Sequence, residues 1–166
     1  MVASAVIREA IQPKRFVLSN PAFRLALQAP AWKLRAGRVA SGLLPAASFS
    51  NEIDPALISR DSSQVAAYRD DALVHDRITA RTFTEWQAAA GEALERAGEV
   101  TVPVLALLSG ADRIIDASGG REFAERTAGP HTVRVYPARY HEPFNDLGAN
   151  EVFADLAAWL ARPAPE

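Results

Sequence analysis

The sequence contains no cysteine, which excludes disulfide bonds, thiolate nucleophiles and cysteine-ligated zinc. No apolar run reaches the roughly 20 residues of a membrane-spanning helix, and the apolar start at residues 2–7 is too short for a signal peptide. Neither sign of charge dominates, because 18 Lys and Arg against 20 Asp and Glu give a net charge of −2. That balance offers no basic surface for nucleic acid or an anionic membrane. We therefore expect a cytoplasmic protein with no nucleic-acid partner.

The chain has the size and composition of one ordinary globular domain, with 166 residues of which 49% are hydrophobic. Its first two thirds predict helices interrupted by one strand. Apolar residues at helical spacing occupy 2–11, and the apolar run 16–18 then predicts a short buried strand. From Pro21 to Val100 the pattern is helical and contains no convincing strand. The helices predicted in this stretch cover residues 32–44, 62–69 and 83–97.

The last third of the chain alternates between strand and helix. Two apolar runs without in/out alternation, 102–108 and 132–136, predict strands that are covered on both faces. Helical patterns follow at 117–127 and at 150–161, with Asn150 as the expected cap of the second helix. This order is typical of a parallel α/β sheet, in which functional groups collect beyond the carboxyl ends of the strands.

Two residues that could carry chemistry, Asp112 and His141, come just after these predicted strands. Gly110 allows a tight turn that would place the Asp112 carboxylate above the sheet. A carboxylate bonded to imidazole fixes the tautomer of the ring and stabilises the imidazolium ion, as a serine hydrolase requires. Each residue alone also has a structural interpretation: Asp112 as a turn residue that caps its own backbone, and His141 as a structural or surface histidine.

A specific family resemblance rests on four segments. Two segments resemble the acid and histidine motifs of the monoacylglycerol lipase and lysophospholipase branch of the α/β-hydrolase superfamily: VPVLALLSGADRIID (102–116) and VRVYPARYHEPFND (133–146). This branch is serine aminopeptidase S33-like. RFVLSNPAFRLA (15–26) resembles the strand that follows the family's nucleophile helix. ALISRDSSQVAAYRDDALVHDRITARTFTEW (56–86) resembles its helical cap. The order acid then histidine along the chain also agrees with this superfamily.

The resemblance implies the C-terminal half of an α/β-hydrolase fold, with about three parallel strands, flanking helices and a helical cap insertion. It divides the chain into 1–20, the end of the nucleophile helix and the next core strand, 21–98, the cap segment, and 99–166, the core with the acid and histidine motifs.

The same resemblance implies that Asp112 is the triad acid and His141 the base. Asp116 is the competing carboxylate, but capping the helix at 117–127 is a sufficient role for it. Residues 142–145, in particular Glu142, Pro143 and Asn145, are implied to orient the histidine loop.

The nucleophile expected from this resemblance is missing from the sequence. The family's serine lies in a G-x-S-x-G elbow between a strand and a helix, and these 166 residues do not contain that pattern. Ser19, Ser109 and Ser118 are the nearest candidates. Ser19 has no flanking glycines, and the other two belong to the acid loop and its helix. By the resemblance, Met1 lies a few positions past the serine of a complete hydrolase, so we expect a fragment that is nearly inactive alone.

The implied activity is hydrolysis of a carboxylic ester with one long acyl chain, a small-molecule lipid, without metal or organic cofactor. The cap's apolar side chains either line an acyl-chain tunnel or form the cap's own core; they include Phe23, Trp32, Leu43, Leu44 and Phe49. His75 is interpreted as structural, and Trp86 and Trp159, on apolar helical faces, are predicted to be core residues.

Two other functions stay open. The chain could be a non-catalytic acyl-binding or interaction module, or one half of a split hydrolase. The strand at 15–19 would then offer an open sheet edge for self-association or for an N-terminal-half partner.

Overall fold

The computed structural model describes residues 2–26 and 30–163. Its helices are α1 (Val2–Ile7), α2 (Ala31–Leu43), α3 (Ser62–Asp70), α4 (Ala80–Glu95), α5 (Ala117–Arg126) and α6 (Ala149–Leu160). Its strands are β1 (Phe16–Ser19), β2 (Ser48–Ser50), β3 (Arg77–Thr79), β4 (Val104–Ser109) and β5 (His131–Tyr136). No helix within the described ranges is long and apolar enough to cross a membrane.

A three-stranded parallel sheet in the order β1–β4–β5 forms the centre of the fold. Phe16 pairs with Val104 at the start of β1, and Val104 pairs with His131 on the other side. All six residues of β4 are buried, because this central strand is covered on both faces. The predicted α/β class and the three predicted parallel strands are confirmed.

The two faces of the sheet pack against different helices. Val104, Ala106 and Leu108 alternate toward one face, where residues of α1, α4 and α5 complete the core. Leu105 and Leu107 point to the opposite face and pack against Val152 and Trp159 of α6. The continuous apolar run of β4 is the sequence signal of this two-sided burial. Trp159, with 6% of its surface exposed, is a core residue as predicted.

The middle of the chain contains a small sheet that the sequence analysis missed. β2 and β3 pair antiparallel, with Ser48 opposite Thr79 and Phe49 opposite Ile78. The expectation of no strand between Pro21 and Val100 is therefore wrong. Each strand has only three residues, and the pairing joins positions some thirty residues apart, so no local periodicity reveals it.

Two expected helix ends also differ from the structure. Helix α1 ends at Ile7 instead of continuing to residue 11. Helix α6 begins at Ala149, after Gly148 in a left-handed conformation with φ of 80°, so Asn150 lies inside its first turn and is not the cap. Gly148 is the residue before the helix and provides no side-chain cap; glycine adopts the left-handed conformation without steric cost.

Candidate active site

The turn after β4 lies directly against the turn after β5. Gly110 donates its backbone N–H to the carbonyl of Tyr136 over 2.8 Å, and Ala111 donates to the carbonyl of Arg139 over 3.1 Å. Gly110 does not have a positive φ. Glycine is required here because the two turns approach each other closely: a Cβ at residue 110 would lie 2.8 Å from the Cα of Pro137. The two turns that carry the predicted acid and base are thus held in backbone contact.

Asp112 occupies the tip of the first turn, and its side chain is only 1% exposed. One carboxylate oxygen, Oδ1, accepts the backbone N–H groups of Ile114 at 2.8 Å and Ile115 at 3.0 Å. The other oxygen, Oδ2, lies 2.8 Å from Nδ1 of His141. Both interpretations of Asp112 therefore describe real contacts: it caps its own turn with one oxygen and holds the imidazole with the other.

His141 is brought to Asp112 and leaves its other ring nitrogen available. Its side chain is 28% exposed. Within residues 2–26 and 30–163, Asp112 is the only group that hydrogen-bonds the imidazole. An Nδ1–H donated to the carboxylate leaves Nε2 unprotonated and able to accept a proton. The pair can therefore act as a general base that is oriented by a buried acid.

Asn20 is a third site residue, and the sequence analysis missed it. It follows β1 directly, is 7% exposed, and has a φ of 37°. Its Oδ1 accepts the N–H of Ser109 at 2.7 Å, and its Nδ2 donates to the Ser109 hydroxyl at 2.9 Å and to the carbonyl of His141 at 2.5 Å. Asn20 thus joins the ends of β1 and β4 to the histidine. Its place at the carboxyl end of a parallel strand, like that of Asp112, was the available signal.

Asp116 has the structural role predicted for it. Its carboxylate accepts the N–H of Ser118 at 2.8 Å, as the cap of α5, and it does not contact His141. In the loop after the histidine, Pro143 is buried and Asn145 donates to the Glu142 carboxylate at 2.9 Å.

The apolar residues of 21–98 that were predicted to line a tunnel or form a core fall into two groups. Phe23 stacks on Phe123 at 4.7 Å between ring centroids, as part of the core. The others are exposed: Trp32, Leu43, Leu44 and Phe49. Trp86 is half-buried and donates its indole N–H to the carbonyl of Ala22 at 3.0 Å, which joins α4 to the segment after β1. His75 is exposed and accepts the backbone N–H of Arg77 at 3.2 Å, a local contact that agrees with its structural interpretation.

None of the three candidate serines hydrogen-bonds to His141. Ser109 is 1% exposed and its hydroxyl accepts a hydrogen bond from Asn20, while Ser118 belongs to the start of α5 and Ser19 ends β1. We expect a fluorophosphonate probe, which labels activated serines, to leave this chain unlabelled, because no serine of the described residues bonds to His141. Intact-mass spectrometry after labelling measures this. Stoichiometric labelling at any of the three serines would contradict it.

A parallel sheet flanked by helices, with an aspartate–histidine pair beyond the ends of its strands, defines an α/β-hydrolase architecture. The chain belongs to the family described as Serine aminopeptidase, S33, whose profile matches residues 1–148.

Similar proteins agree with this assignment. The chain is 30% identical over 146 residues to the monoacylglycerol lipase of Mycolicibacterium smegmatis, covering 87% of this chain and 52% of the relative. It is 28% identical to human monoglyceride lipase over an alignment of 173 positions, which covers 96% of this chain and 55% of the human protein. The crystal structure of Paleococcus ferrophilus monoacylglycerol lipase superposes with a TM-score of 0.88 at 29% identity, covering 95% of this chain and 64% of that chain. The chain spans about half the length of these two curated lipases.

Proposed function

We propose that this chain supplies the acid and the base of a serine ester hydrolase of the monoacylglycerol lipase type. The observation that carries the proposal is the 2.8 Å bond between the buried Asp112 carboxylate and Nδ1 of His141. In the proposed reaction, Nε2 of His141 takes the proton of a serine hydroxyl as the serine attacks the ester carbonyl. The imidazolium, stabilised by Asp112, then gives that proton to the departing alcohol. In the second half of the reaction, Nε2 of His141 takes a proton from water as the water attacks the acyl-enzyme. The imidazolium then gives that proton to the serine oxygen as the carboxylic acid leaves.

The nucleophile of this proposal lies outside these 166 residues, on the strand–helix elbow of an N-terminal half. Three features support this: the sequence has no G-x-S-x-G, no described serine bonds to His141, and β1 pairs only with β4 in the described part of the chain. The proposal keeps the division into a core start at 1–20, a cap at 21–98 and a catalytic core at 99–166.

The substrate class in this proposal is an ester with a single long acyl chain, such as a monoacylglycerol or a lysophospholipid. Relatives with the same architecture bear the name monoacylglycerol lipase. The cap segment also presents apolar side chains on its surface, among them Trp32 at 67% and Leu43 at 77% exposure. Exposed apolar side chains of this kind can bind acyl chains, and such a surface often marks a binding site.

A chimera tests the proposal. The part of the Paleococcus ferrophilus lipase that precedes its match to this chain, fused upstream of Met1, would supply an elbow and complete the sheet. We expect the chimera to hydrolyse a monoacylglycerol and this chain alone to show no hydrolysis. The control chimera carries alanine in place of the elbow serine. A folded chimera whose elbow serine takes up fluorophosphonate but which cleaves no long-chain ester would contradict the proposed substrate class.

The open edge of β1 gives a second expected result. Phe16 and Leu18 of this strand are buried on one face of the sheet. Among the described residues no strand pairs with its other edge, and unpaired backbone groups at such an edge recruit other strands. We expect this chain alone to self-associate and the chimera, in which the edge is covered, to be monodisperse. Size-exclusion chromatography with light scattering measures both. A monodisperse monomer with a cooperative melt would favour the alternative of a binding module that stands alone.

A further inference from the structure

A buried carboxylate beyond the histidine joins the histidine loop to the cap. Asp146 lies in the loop between His141 and α6, and its side chain is fully buried, at 0% exposure. Its Oδ2 accepts the backbone N–H of Tyr140, the residue directly before His141, at 2.9 Å and Nε of Arg60 at 2.9 Å. Its Oδ1 accepts the N–H groups of Arg60 at 2.7 Å and Leu147 at 2.9 Å. One carboxylate thus holds the histidine loop, the turn before α6 and the cap.

The same stretch of the cap contacts the backbone of the histidine itself. The carbonyl of Leu57 accepts the N–H of His141 at 3.5 Å, and the carbonyl of Ile58 accepts the N–H of Glu142 at 2.8 Å. Ser59 adds a hydroxyl bond to the carbonyl of Asn145 at 2.8 Å. Residues 57–60, which we name the cap strap, therefore run alongside 140–146. Three consecutive amides around the base depend on the cap strap and Asp146.

The groups around Asp146 keep its carboxylate ionised. Burial alone would raise the pKa of Asp146, but the backbone N–H groups of Tyr140 and Arg60 and the Arg60 guanidinium hold it below its usual range. Charge-assisted bonds from guanidinium to carboxylate are stronger than neutral ones. Removing one partner of such a buried pair leaves the other uncompensated, which is costly.

We propose that Asp146 is a positioning residue that couples the cap strap to His141, so that the imidazole is held against Asp112 only while this part of the cap is seated. The inference rests on the proposed role of His141 as the base. Asp112 fixes the ring, and Asn20 fixes the carbonyl of His141 from the sheet side. The amides on either side of the ring are fixed from the cap side, through Asp146 and the strap carbonyls.

Asp146→Asn tests the coupling in this chain, without any need for hydrolysis. The amide keeps the size of the side chain but loses its charge. Its NH2 group replaces one acceptor with a donor that faces Arg60 together with either Tyr140 or Leu147. We expect amide hydrogen exchange at Tyr140, His141 and Glu142 to accelerate about tenfold relative to β4, the order expected from losing a buried hydrogen bond. We also expect the low-field proton NMR signal of the His141 Nδ1–H to broaden or vanish.

Two further variants make the test decisive. Arg60→Gln keeps the Asp146 carboxylate and every backbone donor, so the same changes are expected at smaller, several-fold size, even if Asp146→Asn fails to fold. Asp61→Asn is the matched control: Asp61 adjoins the cap strap but only caps α3, and asparagine caps a helix equally well. We expect exchange and the ring proton to be unchanged in this control.

The coupling is overturned if a folded Asp146→Asn or Arg60→Gln leaves the three amides and the ring proton as in the parent chain. It is also overturned if exchange in β4 rises by the same factor, because Asp146 would then support only global stability. Neither result depends on ester hydrolysis. A chimera without esterase activity would contradict the proposed function, but the exchange and NMR measurements would still test the coupling.

Discussion

In the chimera, Asp112→Asn is expected to lower kcat by about four orders of magnitude. Asparagine keeps the shape of the residue, and its carbonyl oxygen can still accept the N–H groups of Ile114 and Ile115. Its amide, however, meets Nδ1 of His141 as a donor. The imidazole must then carry its proton on Nε2, where it cannot accept a proton from a serine. Steady-state kinetics with a monoacylglycerol substrate measure the loss.

The matched control for this prediction is Asp116→Asn. Asp116 is the neighbouring carboxylate, it caps α5, and asparagine serves as a cap as well as aspartate does. We expect kcat of this variant to stay within a few-fold of the parent chimera. The reverse result, a large loss with Asp116→Asn and a small one with Asp112→Asn, would transfer the acid role to Asp116.

The central sheet could be predicted from the sequence because β4 is buried on both faces. The same expectation is wrong for β5, an edge strand in which only Tyr136 is buried. β4 is a run of apolar residues with Pro103 before it, and β5 follows one helix later in a βαβ order that allows few topologies. Parallel strands place their carboxyl ends at one edge, so the proximity of Asp112 and His141 followed from their positions alone. The 2.8 Å bond between them agrees with that expectation.

The elements that the sequence did not reveal depend on contacts between distant segments. The pairing of β2 with β3 joins two three-residue strands whose own patterns are too short to identify. In the sequence Asp146 is an ordinary loop aspartate, and only the structure shows that Arg60 lies beside it. Arg139 is similar: it is 5% exposed and donates to the carbonyls of Leu147 and Gly148. A charged residue can be recognised as buried only once its partner is known, and the partner lies in a distant segment that the local sequence does not indicate.

Gly110→Ala is expected to separate the acid and base turns of the chimera. A Cβ at this position would lie 2.8 Å from the Cα and 2.9 Å from the carbonyl oxygen of Pro137. Both are backbone atoms, so no side-chain rotation can relieve the overlap. Overpacking of this kind costs about 1–3 kcal/mol in the free energy of unfolding. In domains of about 150–250 residues each kcal/mol lowers Tm by about 2–4 °C. We also expect kcat to fall about 100-fold, because a displacement of about 1 Å at a catalytic group has that effect.

Gly91→Ala is the control, since a Cβ on this residue of α4 meets no atom within 4 Å. Alanine within a helix is favoured over glycine by about 0.5–1 kcal/mol, so its Tm should rise slightly and its kcat should not change. Thermal unfolding and kinetics on both variants then separate steric contact from a general effect of adding a methyl group. If Gly110→Ala kept its Tm but lost activity, the turns would separate without a cost in stability, and their close contact would still be needed for the geometry of the pair. If it kept both, the backbone contact at Pro137 would not position the base, and Asn20 with Asp146 would have to do so unaided.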